Sequence, residues 1–379
     1  MGVYNLSFKI PLIKPYIDEE IISKVKEVLL SGYLTQGPVT KEFEKSISNY
    51  VGSKFGISFT SNTTGMETAL RSFGIGKGDE VIVPGYTYPA TASVVSIVGA
   101  EPVFVDVDIN TANIDYSLIE ESITDKTKAI IPVSLFGNAL DYSKLNRIKK
   151  KYNLIIIEDS ACSLGSSYEG IMTGNLADAS IFSFHPRKFI TTGEGGMLTT
   201  NNEDVALSTY SYKYFGLKTW LEDGDIKVSG NEFSNIGTNY KLTNLQASIG
   251  LVQMKHIGKL LEERRKLAKN YDNLLKDLKD VLILKTTPNS EHSYQSYGVV
   301  IQNRDKIINE MRNNGIEVQI GSIDLLRHKA FSNFKHVSNL ENSKLLGQSC
   351  MVLPLYNGMT KEQQESVVNE LRRVTKLYS

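Results

Sequence analysis

The residues best suited to do chemistry in this sequence are an acid and a lysine, each placed just after an apolar run. Glu158 and Asp159 close the run 154–157, and Lys188 follows the run 179–184. Alone, such an acid can be an ordinary loop or helix-capping residue, and a lysine is usually a solvated surface charge. As a pair, they could keep a ring nitrogen protonated and form an imine. These are the two groups that pyridoxal phosphate (PLP) chemistry requires.

A phosphate group would need further contacts, and hydroxyl side chains could provide them. Thr63 and Thr64 lie in the segment 60–65, between a predicted strand and a predicted helix. Hydroxyls and free N–H groups at a helix N-terminus suit an anion, although simple N-capping is the alternative interpretation. Ser183 adds a hydroxyl near Lys188. The sequence has no Walker or Rossmann glycine motif, which disfavours nucleoside triphosphates and dinucleotides as ligands.

A planar ring would also need a surface to stack on. Tyr88 follows the predicted strand 80–83 and could provide one, although an interface or core tyrosine is the alternative. The glycine-rich turn 193–196 is expected to bring backbone close to whatever Lys188 holds. By itself, the turn could equally be a tight connection between two strands.

The composition of the chain excludes several classes of function. The 379 residues contain 42 basic and 42 acidic side chains, so no global field favours nucleic acid or anionic membrane. Cys162 and Cys350 are the only cysteines, too few for a disulfide framework or a metal-binding cluster. The sequence begins without a signal-peptide pattern, and no stretch approaches about 20 apolar residues. We therefore expect a cytoplasmic protein with no membrane span, no metal and no nucleic-acid partner.

Short apolar runs alternate with helical patterns over much of the chain, which predicts an α/β fold with a mainly parallel sheet covered on both faces. In such sheets ligands bind at the carboxyl ends of the strands, and Asp159 is at one of them. The predicted strands are 55–60, 80–83, 102–105, 128–133 and 154–157, and the predicted helices between them are 65–73, 89–98, 116–123 and 141–152.

The sequence predicts two domains. A large domain at 1–245 would begin with an extended arm at 1–16. A long helix at 242–277 would then lead into a smaller α+β domain, so that 246–379 comprises linking helix and small domain. The smaller domain has predicted strands and helices at 294–301, 304–313, 316–320 and 360–377. Thr360 is expected to cap the last helix, with Gln363 at the capping-box position.

Six motifs, in this order and spacing, resemble the sugar-nucleotide aminotransferases, which are fold-type I PLP enzymes. They are SGYLTQGP at 31–38, GKGDEVIVP at 76–84, EDSA at 158–161, SFHPRKFITTGEGG at 183–196, NYKLTNLQA at 239–247 and LPL at 353–355. The resemblance covers nearly the whole chain. It implies a three-layer sandwich and a homodimer with shared active sites.

The resemblance also assigns roles. It makes Lys188 the imine-forming lysine and proton shuttle, and Asp159 the partner of the pyridinium nitrogen. The remaining implied contacts to the cofactor are ring stacking by Tyr88, phosphate binding by Thr63, Thr64 and Ser183, and a reach by Asn239 to the phosphate of the neighbouring subunit. His292, Tyr294 and the segment 319–324 are implied to lie near the sugar.

The sequence departs from the family pattern at three points. Cys162 stands where many members have glutamine or histidine near the phenolic oxygen of the cofactor, and a thiol is a weak hydrogen-bond partner. Lys241 replaces a frequent arginine, which removes the basis for a bidentate contact. The phosphate loop lacks the glycine that often precedes the threonine at 63. All the essential groups are nevertheless present.

The implied reaction has two halves. An amino acid, L-glutamate by resemblance, leaves its amine on the cofactor as pyridoxamine phosphate (PMP), which then aminates a nucleotide-linked keto-sugar. The product would be an amino-sugar nucleotide for glycan biosynthesis. One rival is a sugar dehydratase on the same scaffold, but those relatives carry histidine in place of Lys188. A non-catalytic regulatory relative is the other rival; it predicts a missing lysine or acid, or an added basic segment, and the sequence has neither.

Overall fold

The computed structural model describes residues 8–378, so positions 1–7 of the predicted arm lie outside the described residues. The helices are α1 (Glu19–Ser31), α2 (Pro38–Val51), α3 (Asn62–Ser72), α4 (Pro89–Ile97), α5 (Tyr116–Ser122), α6 (Tyr142–Tyr152), α7 (Glu203–Lys213), α8 (Asn244–Lys255), α9 (Ile257–Leu275), α10 (Arg304–Asn313), α11 (Glu341–Ser349) and α12 (Lys361–Tyr378). Short 3-10 helices cover Leu135–Gly137 and Leu325–Arg327.

The strands form one large sheet, one smaller sheet and short two- and three-stranded pairings. They are β1 (Phe55–Phe59), β2 (Glu80–Pro84), β3 (Tyr86–Thr87), β4 (Glu101–Val105), β5 (Thr127–Ile130), β6 (Ile155–Asp159), β7 (Ser167–Tyr168), β8 (Ile171–Met172), β9 (Ala179–Ser183), β10 (Gly196–Thr200), β11 (Leu217–Glu222), β12 (Asp225–Phe233), β13 (Val281–Ile283), β14 (Ser290–Glu291), β15 (Tyr297–Ile301), β16 (Gln319–Ile320), β17 (Ile323–Asp324) and β18 (Cys350–Leu353).

The large sheet has seven strands in the order β1-β10-β9-β6-β5-β2-β4. From β9 to β4 all neighbours pair in parallel, whereas β10 runs antiparallel to both β1 and β9. The predicted mainly parallel sheet is therefore confirmed. Because all strands except β10 share one direction, their carboxyl ends lie along one edge, and this edge is where a ligand site is expected.

Helices cover both faces of this sheet and make it the middle of three layers. Side chains alternate along β2: Val81 and Val83 pack with α3 and α4, whereas Ile82 between them packs with α5 and α6. This alternation follows from the two-residue period of a strand. Apolar side chains on both faces of one strand explain why the sequence shows continuous apolar runs.

The smaller sheet is antiparallel, in the order β13-β15-β18-β16, and packs against α9, α10 and α12. The single helix predicted at 242–277 was wrong, because α8 and α9 meet at a break at His256. There φ is −103° and ψ is 2°, outside helical values, and the imidazole Nε2 lies 3.4 Å from Glu20 of α1. The apolar pattern continues through this break, so periodicity could not reveal it. The division at residues 245 and 246 stays a prediction.

The last helix begins as predicted. Gln363 N donates to Thr360 Oγ1 at 3.2 Å, and Thr360 N donates to Gln363 Oε1 at 3.0 Å, which is a capping box. Within residues 8–378, none of the helices is both long enough and apolar enough to cross a membrane.

Candidate active site

Asp159 ends strand β6 at the carboxyl edge of the sheet and is only 4% exposed. Its Oδ2 accepts a hydrogen bond from Thr91 Oγ1 at 2.8 Å, and its Oδ1 accepts from Asn62 Nδ2 and Ala161 N, both at 3.2 Å. Burial raises the pKa of this carboxyl group, while the hydrogen bonds and the positive charge of Lys188 lower it. An opposite charge brought against the group would favour its ionised form.

Lys188 lies in the loop that joins β9 to β10, and β9 is the direct parallel neighbour of β6. Its side chain is partly exposed, and Nζ donates to Cys162 Sγ at 3.0 Å. The backbone turns at this point, because Lys188 N donates to His185 O at 2.8 Å. Asp159 and Lys188 therefore follow adjacent strands and lie at the same edge of the sheet.

The N-terminus of α3 lies at the same edge. Thr64 and Ser61 form a capping box, in which Ser61 N donates to Thr64 Oγ1 and Thr64 N donates to Ser61 Oγ, each at 3.1 Å. Ser61 is therefore the N-cap of α3 and Thr64 the N3 residue of its capping box, so this loop does the N-capping that the sequence left as an alternative. The hydroxyl of Thr63 has no hydrogen-bond partner among residues 8–378. N–H groups in a first helical turn also lack intrahelical partners, so this end of α3 can receive an anion.

The glycine-rich turn after Lys188 meets the N-terminus of α3. A Cβ atom on Gly196 would lie 2.4 Å from the carbonyl carbon of Ser61 and 2.6 Å from Asn62 N. Only glycine permits such a close approach of two backbones. The turn therefore contacts the loop that precedes α3, and its expected proximity to whatever Lys188 holds stays a prediction.

The other predicted site residues occupy different surroundings. Tyr88 caps α4 and is 67% exposed, one turn before the Thr91 that holds Asp159. Ser183 ends β9, and its Oγ accepts from His185 N at 3.4 Å. Asn239 is exposed and forms an isolated antiparallel bridge with Tyr214. Among the described residues, Asn239 has no hydrogen bond to Lys188 or Asp159.

His292 and Tyr294 line a separate cavity of about 340 Å³, to which Lys188 and Asp159 do not contribute. Their rings stack with centres 4.1 Å apart. Burial lowers the pKa of His292 to about 3. The imidazole is therefore neutral at pH 7, and its Nδ1 accepts a hydrogen bond from Tyr294 N at 2.7 Å. The predicted approach of these two residues to the sugar stays a prediction.

Two residues that hold the acid were missed at the sequence level. Asn62 Nδ2 donates to Ile181 O at 2.7 Å as well as to Asp159, and it thereby ties α3 to β9. Thr91 belongs to α4. Both side chains are polar and buried in first helical turns that follow strands, and this position was the available signal.

A three-layer α/β fold with a lysine and a buried acid at the carboxyl edge of adjacent strands is the arrangement of a fold-type I PLP enzyme. Residues 15–372 match the DegT/DnrJ/EryC1/StrS aminotransferase family, and the chain belongs to this family. It is a PLP-dependent sugar aminotransferase.

Individual relatives match this chain along nearly their whole length. The chain is 33% identical to a UDP-4-amino-4-deoxy-L-arabinose–oxoglutarate aminotransferase of Shewanella sediminis, covering 96% of this chain and 98% of that protein. It is 32% identical to a GDP-perosamine synthase of Caulobacter vibrioides, covering 97% and 98%. The PMP-form structure of a putative sugar aminotransferase from Streptococcus pneumoniae matches with a TM-score of 0.89 and 30% identity, over 98% of this chain and 100% of that one.

The residues present fit PLP. The buried carboxyl group of Asp159 would face the ring nitrogen, and the amine of Lys188 would face the reactive carbon. The hydroxyl of Thr63 and the N-terminus of α3 would receive the phosphate. These groups come from elements that meet at one edge of the sheet, so a single compact cofactor could contact all of them.

Proposed function

We propose that this chain transfers the amino group of L-glutamate to the keto group of a nucleotide-linked sugar. The observation that carries the proposal is the placement of Lys188 and the buried Asp159 at the ends of adjacent strands. The names of the relatives, which include UDP- and GDP-sugar enzymes, support the class of acceptor. One of those names contains oxoglutarate, the keto acid of glutamate, which supports the donor. The product would be an amino-sugar nucleotide for glycan biosynthesis.

Bound PLP supplies an electron sink for the pair of electrons released when the Cα–H bond of the donor breaks. Lys188 Nζ takes up that proton in the first half of the reaction and delivers a proton to the sugar carbon in the second half. Within residues 8–378, Nζ has only a thiol as hydrogen-bonding partner, so it is free to move between these tasks. Asp159, kept in place by Thr91 and Asn62, would hold the ring nitrogen of the cofactor through its carboxylate.

The remaining predicted contacts complete the proposed site. Thr63, Thr64 and Ser183 would bind the phosphate, Tyr88 would stack on the ring, and Cys162 would lie near its phenolic oxygen. The exposure of the Tyr88 ring supports the stacking role, because nothing of the chain's own core covers it. The capping box of Thr64 supports a role through its backbone and through the shape of the loop, more than through a free hydroxyl.

We also propose a homodimer in which Asn239 reaches the site of the second subunit. Two linked segments expose apolar side chains: Leu30 is 78% exposed at the end of α1, and Ile236 is 95% exposed after the hairpin β11–β12. Gln36, which follows α1, donates through Nε2 to Tyr210 Oη at 2.7 Å, in the helix α7 that precedes the hairpin. Exposed apolar side chains are typical of a protein interface. The proposed interface would include Asn239, which follows Ile236 closely along the chain.

A cytoplasmic location is part of the same proposal. Cys162 and Cys350 are both free thiols, and free thiols are typical of a reducing compartment.

The visible absorption spectrum with PLP, before and after addition of L-glutamate, tests the proposal. We expect a cofactor band in the native protein that shifts to the PMP form on addition of glutamate, and no such shift in Lys188→Ala. A band that glutamate leaves unchanged would contradict the assignment of the donor. The absence of any cofactor band in the folded native protein would overturn the assignment of the site.

A further inference from the structure

One side chain holds the backbone on both sides of Lys188. Gln295 Nε2 donates to Arg187 O at 2.7 Å, and Phe189 N donates to Gln295 Oε1 at 3.1 Å. Gln295 is 5% exposed. Because one planar amide offers both a donor and an acceptor, it fixes the two peptide units that flank the lysine. The main chain at Lys188 is thus held from outside its own loop.

Gln295 is itself held by a buried cation. Arg264, which is 1% exposed, donates through Nη2 to Gln295 O at 2.8 Å and through Nε to Tyr294 O at 2.9 Å. Its guanidinium carbon also lies 5.4 Å from the ring centre of Phe189. Burial of a cation costs desolvation free energy, which only well-formed hydrogen bonds can offset. Arg264 therefore contacts the lysine loop both directly and through Gln295.

The same arginine also contacts the backbone of the LPL motif at 353–355. Arg264 Nη2 donates to Leu355 O at 3.1 Å, and Tyr271 Oη donates to Pro354 O at 2.8 Å. Tyr294 adopts a φ of 51°, which is uncommon for a bulky residue. Such a backbone conformation persists where the surrounding structure holds it in place. At Tyr294 the hydrogen bond from Arg264 Nε to the carbonyl oxygen does this.

We propose that Gln295, fixed by Arg264, is a positioning residue that sets the location of Lys188 Nζ. Gln295 lies between β14, which pairs with β7, and β15 of the smaller sheet. The position of the lysine is therefore coupled to the segment that joins β14 to the smaller sheet. The inference rests on the proposed function of Lys188. Whether Gln295 fixes the loop around Lys188 can nevertheless be measured independently of that function.

The test compares Gln295→Met with Gln364→Met in the full chain. Gln364 is a matched control, because it is buried and also makes two amide hydrogen bonds, to Leu267 O and from Asn270 Nδ2, both at 2.9 Å. It lies in α12, away from the lysine loop. In each cofactor-free protein, hydrogen exchange of the Phe189 amide and acetylation of the Lys188 amine are followed by peptide mass spectrometry. The rate at which PLP attaches to Lys188 is measured separately.

We expect Gln295→Met to accelerate exchange at Phe189 by about tenfold or more, because the acceptor of that amide is gone. The rate of acetylation at Lys188 should change as well, and PLP attachment should slow by about tenfold as the amine loses its fixed position. Gln364→Met should leave all three rates at their native values. Gln295→Glu retains the acceptor for Phe189 N, so its exchange should lie closer to the native rate.

Native exchange at Phe189 in Gln295→Met, or equal acceleration in both methionine variants, would overturn the proposal. Native attachment of PLP in Gln295→Met would overturn the positioning role even if exchange accelerates. If the native protein itself fails to attach PLP, the proposed function fails, and the exchange and acetylation rates still decide whether Gln295 holds the loop.

Discussion

Lys213 and Lys188 have surroundings of different kinds. Lys213 is fully buried between α2, β1 and α7, where its Nζ donates to Glu44 Oε1 at 3.0 Å and to Ser58 O at 2.8 Å and lies 4.4 Å from the ring centre of Tyr210. Lys188 is partly exposed, and among the described residues its Nζ forms a hydrogen bond only with the thiol of Cys162. A structural lysine saturates its donors with a charged partner, whereas a lysine suited to reaction keeps them free.

The carboxylates of Glu44 and Asp159 also differ in their hydrogen-bonding partners. Glu44 Oε1 accepts hydrogen bonds from Lys213 Nζ and from both Ser58 N and Ser58 Oγ, so its charge is matched. Asp159 is also buried, but among the described residues its hydrogen bonds come from neutral groups such as Thr91. Glu44 and Lys213 therefore form a close ion pair, whereas the positive charge of Lys188 acts on Asp159 without such a direct contact.

The largest expected effect separates the two lysines by activity. Lys188→Ala should reduce amino transfer by at least about 10²–10⁴-fold, since the general acid–base group is lost. Its melting temperature should remain near the native value, because the side chain is partly exposed and its hydrogen bond to Cys162 is weak. Steady-state rates and thermal unfolding measured on the same preparation check this. Full activity in the variant would contradict the role of Lys188.

The second effect separates them by stability. Lys213→Met should lower the free energy of unfolding by about 3–5 kcal/mol, because the carboxylate of Glu44 stays buried without its partner. Denaturant titration checks this, and the double variant Lys213→Met with Glu44→Gln should be more stable than the single one. A double variant no more stable than Lys213→Met would show that the unpaired Glu44 carboxylate does not cause the loss of stability.

The third effect is a change in stability that has opposite signs for neutral substitutions of Asp159 and Glu44. Asp159→Asn should stabilise the cofactor-free protein at pH 7 by about 1 kcal/mol, whereas Glu44→Gln should destabilise it. Burial raises the pKa of Asp159, so its contribution to stability is fully present below the unfolded pKa and is lost as pH rises through the folded pKa. The advantage of the asparagine variant should therefore vanish in acid. Thermal unfolding from pH 3 to 7 would refute this if the advantage grew in acid.

The smallest effect concerns the thiol. Cys162→Ala should change the free energy of unfolding by less than about 1 kcal/mol, since a thiol is a weak hydrogen-bond partner. Activity should stay within about tenfold of the native value. A loss as large as that of Lys188→Ala would mean that the thiol contributes to the reaction itself, and Cys162→Ser then shows whether a hydroxyl can replace it.

Local pattern predicted much of this site, and its limits have physical reasons. Asp159 and Lys188 could be found because each follows an apolar run that forms a buried strand. Gln295 could not, because its partner Arg187 lies 108 residues away and a glutamine in a loop carries no local signal. The break at His256 was missed because the apolar pattern continues through it. Contacts between distant segments depend on packing, which periodicity does not report.

The antiparallel strand β10 has a consequence for how the molecule folds. Strand β1 lies at the edge of the large sheet with β10 as its neighbour, so it cannot pair until the chain has reached residue 196. Asn62, just after β1, must likewise find Ile181 O across 119 residues. Closing such long loops is slow compared with forming helices. The N-terminus of α3 should therefore meet the lysine loop late in folding, and recovery of PLP binding after refolding should lag behind recovery of helix content.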